Sequence, residues 1–97
     1  MKSVHVHSEA EAESDAAFEW YWTQSESAAI GFDAALREAY SFLTKSPRMC
    51  APYLRETRRV ILHRYPYFVV FRELPRKIEI IAIAHTKRRS AYWRGRT

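Results

Sequence analysis

At 97 residues, 47% of them hydrophobic and 14% aromatic, the chain has the length and composition of one compact domain, expected over residues 1–97. No run approaches the roughly 20 apolar residues of a membrane-spanning helix, and residues 1–10 lack the apolar stretch of a secretory signal, so a cytoplasmic protein is expected. The net charge of +5 hides a split: residues 1–44 carry two basic and eight acidic side chains, residues 45–97 fourteen basic and three acidic, which implies a polarised surface whose basic half suits nucleic acid or an acidic protein segment.

Val4 and Val6 alternate with His5 and His7, the pattern of a short first strand. Ser8-Glu9-Ala10-Glu11 then reads as a capping box that starts a helix near Ser8, with Glu9, Glu11, Glu13 and Asp15 at the positive end of its dipole. Ala10, Ala17, Phe18, Tyr21 and Trp22 form its apolar side, and Trp20, Tyr21 and Trp22 are expected to pack in the core and between helices rather than to form a binding patch. A polar break at Gln24–Ser27 precedes a second amphipathic helix, on which Phe32, Ala35, Leu36, Ala39 and Leu43 share one face until Pro47. So short a connection predicts an antiparallel helical hairpin. Cys50, in the loop between Pro47 and Pro52, is the only cysteine, so no internal disulfide can form; an ordinary loop or core thiol is expected.

From Arg58 the period becomes two. Val60 and Leu62, then Tyr67, Val69 and Phe71, then Ile78 to Ala84 read as three strands of an antiparallel meander punctuated at Pro66 and at Leu74–Lys77. Both faces of the last strand are apolar, Ile78, Ile80, Ala82 and Ala84 against Ile81 and Ile83, so it is expected in the middle of the sheet. The predicted fold is α+β in the order β-α-α-β-β-β, with the helical hairpin on one sheet face and the other face partly open.

Chemistry concentrates where the last strand gives way to His85-Thr-Lys-Arg-Arg-Ser-Ala-Tyr-Trp-Arg-Gly-Arg. Metal-free RNA cleavage needs a proton acceptor, cations around the phosphate and an acid for the leaving oxygen. His85 is the best acid/base candidate, Arg64, Arg72, Arg88 and Arg89 could hold phosphate, and Tyr92 or Trp93 could stack a base. Each has a structural alternative: His85 bonded to backbone, Arg72 paired with Glu73 or Glu79, Tyr92 and Trp93 folded back as an apolar plug. His63 is read as a structural strand residue. His5 and His7 make at most half a metal site without a cysteine or carboxylate beside them, and Gly31 and Gly95, the only glycines, cannot build a phosphate-cradling loop, so neither metal nor cofactor is expected.

The segments Arg58–Phe71, Ile80–His85 and Arg88–Arg96, with Ala17-Phe18-Glu19-Trp20-Tyr21, Phe32-Asp33-Ala34-Ala35-Leu36 and Pro47 ahead of them, resemble the RelE/ParE superfamily of bacterial type II toxin-antitoxin systems, and more narrowly its ParE-like branch. The resemblance implies a toxin held inactive by a cognate antitoxin whose carboxy-terminal segment wraps around it. ParE-like members poison DNA gyrase, and on that reading Arg88, Arg89, Tyr92, Trp93 and Arg96 contact the target while Arg59, Arg64 and Arg72 meet the antitoxin. RelE-like members cut mRNA on the ribosome, and on that alternative His85, Arg72, Arg89 and Tyr92 are the catalytic set. A third alternative is a non-toxic protein that retains only antitoxin binding.

Overall fold

Two helices joined by one residue set the frame. In the computed structural model, which describes residues 2–97, α1 (Ser8–Gln24) and α2 (Glu26–Lys45) meet at Ser25, whose extended backbone (φ −170°) breaks the helical path. The Ser25 N–H donates to Tyr21 O at 2.8 Å and so closes α1, while its hydroxyl accepts from Ala28 N–H at 3.3 Å and caps α2. The polar break expected over Gln24–Ser27 is therefore a single residue.

The start of α1 corrects another expectation. β1 (Ser3–Val6) leads straight into it, and His7 is the cap: its N–H donates to Ile80 O at 2.9 Å while its Nδ1 accepts from Glu9 N–H at 3.1 Å. Ser8 is already helical, so no capping box forms, and a ring nitrogen of His7 is spent on backbone.

The remaining strands are β2 (Ala51–Pro52), β3 (Arg58–Ile61), β4 (Tyr67–Glu73) and β5 (Lys77–His85), in sheet order β1-β5-β4-β3-β2. β1 runs parallel to β5 and the other pairs are antiparallel, which makes a mixed α+β sheet with β5 between β1 and β4. The two-residue β2 falls where the sequence reads as loop, because too few residues lie there to show a period.

β5 does not follow simple alternation. Val70 pairs with Ala82 but Phe71 with Ile80, so Ile81 is an extra residue, a β-bulge. The bulge flips the phase: Ile78, Ile80 and Ile83 join Val69 and Phe71 beneath the helices, whereas Ile81, Ala82 and Ala84 face the other side with Phe68 and Val70. That second face is not left open as expected. Trp93, only 1% exposed, returns across it with Tyr53 and Tyr92 at its margin.

α2 contributes Ala29, Phe32, Leu36, Ala39 and Leu43 to the helix-side core, close to the predicted stripe. α1 buries only Ala10 and Ala17, small residues that let its backbone approach β5. Tyr21 stacks on Phe32 at 5.4 Å and meets Tyr65 and Tyr67 edge-on. Trp20 and Trp22, expected in the core, are 58% and 51% exposed, because neighbours of an inward Tyr21 at i±1 turn away on a helix.

Candidate functional site

β1 stops at Val6, opposite Ile80, while β5 continues to His85. Past that point the β5 edge needs other partners for its backbone groups, and side chains provide them. Glu13 on α1 accepts from Ile83 N–H at 3.0 Å, and Arg96 Nη1 donates to Ile81 O at 3.2 Å. The same two side chains bond each other in bidentate fashion, Nη1 to Oε1 and Nη2 to Oε2, both at 2.9 Å. Tyr92 completes the cluster by donating its hydroxyl to Glu13 Oε2 at 2.7 Å.

The electrostatics follow from this geometry. Burial by itself would raise the Glu13 pKa, but hydrogen bonds from Arg96, Tyr92 and the Ile83 N–H outweigh it, and the carboxyl is held below its ordinary value. Burial, together with the Glu13 carboxylate it bonds, pushes the Tyr92 phenol up. Arg96 is raised, first by its bond to Glu13. The cluster fixes the C-terminal segment against α1 and β5, with Ala91 in the left-handed region (φ 56°) where the chain turns back.

Fixed in this way, the segment displays Lys87, Arg88, Arg89 and Arg94 to solvent. Arg88 lies over the Tyr92 ring with its guanidinium carbon 3.8 Å from the centroid. His85 ends β5 beside the Tyr67 ring at 5.0 Å, and its Nδ1 accepts from Lys87 N–H at 3.0 Å, which leaves Nε2 as the other ring nitrogen. Two shallow adjoining clefts, about 320 and 260 Å³, share Trp20, Tyr67 and His85 in their walls, and Arg88 borders the second.

The residues singled out in the sequence are thus sorted by the fold. Arg88 and Arg89 are exposed on the segment, Tyr92 is half-buried, and Trp93 and Arg96 are turned inward, where they anchor it. Arg72 pairs with Glu79 at 2.9 Å, the cross-strand alternative foreseen for it. It also lies five residues along β4 from Tyr67, the partner of His85, or about 17 Å away. The ribonuclease set of His85, Arg72, Arg89 and Tyr92 is therefore not gathered in one place, and the Tyr92 hydroxyl is already committed to Glu13.

Arg59 stacks over Tyr53 and Phe68 at 4.5 and 5.0 Å, on the sheet face away from the helices. Arg64 is exposed in the β3–β4 turn at φ 70°. Cys50 is buried and its thiol is pushed up by that burial. Among the described residues no three His, Cys, Asp or Glu side chains gather at metal-binding spacing. The residue that sequence reasoning missed is Glu13, read only as a first-turn acid. Its partners are 70 to 83 positions away, and the one local signal was its place three residues after Ala10 and four before Ala17, on the face of α1 that those two buried residues turn to the sheet.

The family model of the ParE toxin of type II toxin-antitoxin systems, parDE, matches residues 4–90. A chain from a solved structure described as the chromosomal ParDE TA system from P. aeruginosa superposes with a TM-score of 0.76 at 24% identity, over 88% of this chain and 96% of that one. No curated protein sequence matches the chain.

Proposed function

This chain belongs to the ParE toxin family of type II toxin-antitoxin systems, and we propose that it arrests growth by binding DNA gyrase through its C-terminal segment until a cognate antitoxin neutralises it. The observation that carries this reading is the exposed cationic array of Lys87, Arg88, Arg89 and Arg94 on a segment held rigid by Glu13. A contact surface gains from such rigidity because less side-chain and backbone freedom is lost on binding. On this reading Arg88 and Arg89 touch the target, with Tyr92 stacked beneath Arg88, while Trp93 and Arg96 hold the segment in place. Toxin, antitoxin and gyrase would share the cytoplasm; no helix among the described residues is long and apolar enough to cross a membrane.

The basic half of the chain, including Arg59, Arg64 and Arg72, suits an acidic antitoxin segment that folds on binding. mRNA cleavage stays as a second reading on one observation, the clefts that bring His85, Tyr67, Trp20 and Arg88 together. Against it stands the separation of His85 from Arg72 and the occupied hydroxyl of Tyr92.

The test is expression of the toxin alone, with labelled thymidine and methionine incorporation followed over the first minutes. Loss of thymidine incorporation first, and loss of that effect in an Arg88→Ala/Arg89→Ala variant that keeps its melting temperature, is the expected result. Earlier loss of methionine incorporation, abolished by His85→Gln, would replace the gyrase reading with ribosome-dependent RNA cleavage. Absence of any growth defect would leave a non-toxic antitoxin-binding protein.

A further inference from the structure

Where α1 passes the end of β5, side chains that the core does not use come together. Glu13, Ala17 and Trp20 fall at i, i+4 and i+7 on one face of α1, and the small Ala16 and Ala17 between the two long side chains line the cleft of about 260 Å³. Trp20, 58% exposed, stands in the wall that this cleft shares with its neighbour of about 320 Å³. Tyr67 and His85, register partners on β4 and β5, complete that wall with their rings 5.0 Å apart and nearly perpendicular. Thr86 N–H donates to Pro66 O at 2.9 Å and Arg88 N–H to His85 O at 3.0 Å, so the turn beside the wall is set before anything binds there.

One exposed tryptophan needs no explanation. Trp20 does not stand alone: its indole N–H, the Tyr67 hydroxyl, His85 Nε2 and the Arg88 guanidinium all border these clefts, and none has a hydrogen-bond partner among the described residues. Lys87, Arg88 and Arg89 are exposed and outside any ion pair among the described residues, whereas Glu9 and Glu13 are taken by Arg96 at 3.7 and 2.9 Å. Aromatic walls, free hydrogen-bonding groups and unmatched cations suit a ligand that carries a flat ring and phosphates, which is a nucleotide. A segment rich in carboxylates would meet the cations and leave the aromatic walls empty. The clefts are shallow, and a base reaches Trp20 and Tyr67 only when it is out of its stack, which favours a single strand over a duplex.

We infer that these two clefts seat an unstacked base of single-stranded DNA against Trp20, Tyr67 and His85, with Lys87, Arg88 and Arg89 on the flanking phosphates. The inference rests on the gyrase reading for the source of the strand, the DNA that the enzyme holds, and it assigns the cationic segment to that DNA. Binding requires no proton transfer, so the distance of Arg72 and the occupied Tyr92 hydroxyl, which count against cleavage, do not count against it.

The test uses the purified full chain and a fluorescein-labelled DNA strand of about 12 nucleotides, within the span of a single-strand site, with binding read by anisotropy. The strand should bind about tenfold tighter than a duplex of the same sequence, and Trp20→Ala should lose about tenfold in affinity at an unchanged melting temperature. Trp22→Ala, at a similarly exposed tryptophan that borders neither cleft, should bind as the wild type does. Arg88→Ala should lower the slope of log affinity against log salt by about 0.7, the share of one phosphate contact on a single strand. Equal binding of strand and duplex, or full affinity in Trp20→Ala, would overturn the site and leave only a charged surface. An RNA strand of the same sequence bound more tightly than the DNA would also overturn it, giving the clefts to mRNA, and a mononucleotide that competes as well as the strand would give them to a free nucleotide. Strand binding as expected, without loss of thymidine incorporation on expression, would keep the site and remove the gyrase reading; loss of thymidine incorporation without strand binding would do the reverse.

Discussion

Glu13 accepts three kinds of donor at once, a backbone N–H, a phenol and a guanidinium, because a short β1 leaves the β5 edge without a neighbour. Its side chain is 17% exposed and that of Arg96 11%, so the pair is partly desolvated, and its geometry is bidentate. Breaking such a pair from one side costs more than the pair contributes, since the other charge stays behind without a partner. Glu13→Gln should therefore lower stability by about 2 kcal/mol, less than for a fully buried pair because solvent screens what it reaches. Tyr92→Phe should cost about 1 kcal/mol, the usual loss of one hydrogen bond. Urea titration of both single variants and the double checks this: a double-variant loss equal to the sum of the singles would mean that the hydroxyl and the carboxylate act independently.

Helix α2 keeps Gly31 in its interior, where alanine is ordinarily better by about 1 kcal/mol. The reason lies across the molecule: a Cβ at Gly31 would run into the Tyr65 hydroxyl, which donates to Ala28 O at 2.8 Å and ties the β3–β4 turn to the helix. Gly31→Ala should lower stability by about 1 kcal/mol, as the displaced hydrogen bond and crowding outweigh the helix preference. In a Tyr65→Phe background the same change should become neutral or stabilising, and equal effects in both backgrounds, read by thermal melting, would exclude Tyr65 as the cause. The β2–β3 turn offers the opposite case. Arg55 and Glu56 both sit at positive φ, 55° and 61°, in a turn closed by Thr57 N–H to Leu54 O at 3.2 Å. Asn at 55 with Gly at 56 matches that backbone, so Arg55→Asn/Glu56→Gly should add about 1 kcal/mol and raise the melting temperature. An unchanged or lowered melting temperature would show that the arginine and glutamate side chains compensate for the strain.

For the molecule as a whole, the C-terminal segment is held only within a window of pH. Glu13 titrates below its unfolded value, so its stabilisation is fully present above about pH 4.3 and is lost as pH falls through the lower folded value. Tyr92 is shifted upward; its contribution is present below about pH 10 and is lost as pH rises through the higher folded value. Trp93 reports directly, because it is buried only while the segment is docked. In a Trp20→Phe/Trp22→Phe background its emission should shift red on acidification, and Glu13→Gln should show the shifted emission already at neutral pH. An acid transition at the same pH in Glu13→Gln would assign it to other carboxylates, such as Glu73, which Lys2 and Arg48 also hold below its ordinary value.

The longer elements were legible because they are written in local periodicity, α2 in Phe32, Leu36, Ala39 and Leu43 and β4 in Val69 and Phe71, whereas the two-residue β2 is too short to carry one and the helix junction showed only as a polar stretch over Gln24–Ser27. The α+β order and the family followed from those patterns and from residues 58–96. What the tertiary structure alone decided depends on contacts between distant positions. The bulge at Ile81 rests on register against β4, and the position of Trp93 on the apolar face that Phe68 and Val70 share with Ile81, Ala82 and Ala84. The role of Glu13 rests on partners at 83, 92 and 96, which bring the acidic and basic halves of the chain into contact where composition suggested only a polarised surface. A period of 2 or 3.6 is imposed by the backbone on its own side chains and so can be read in order along the chain. A missing strand neighbour is a property of the assembled sheet, and no local pattern records which side chains will stand in for it.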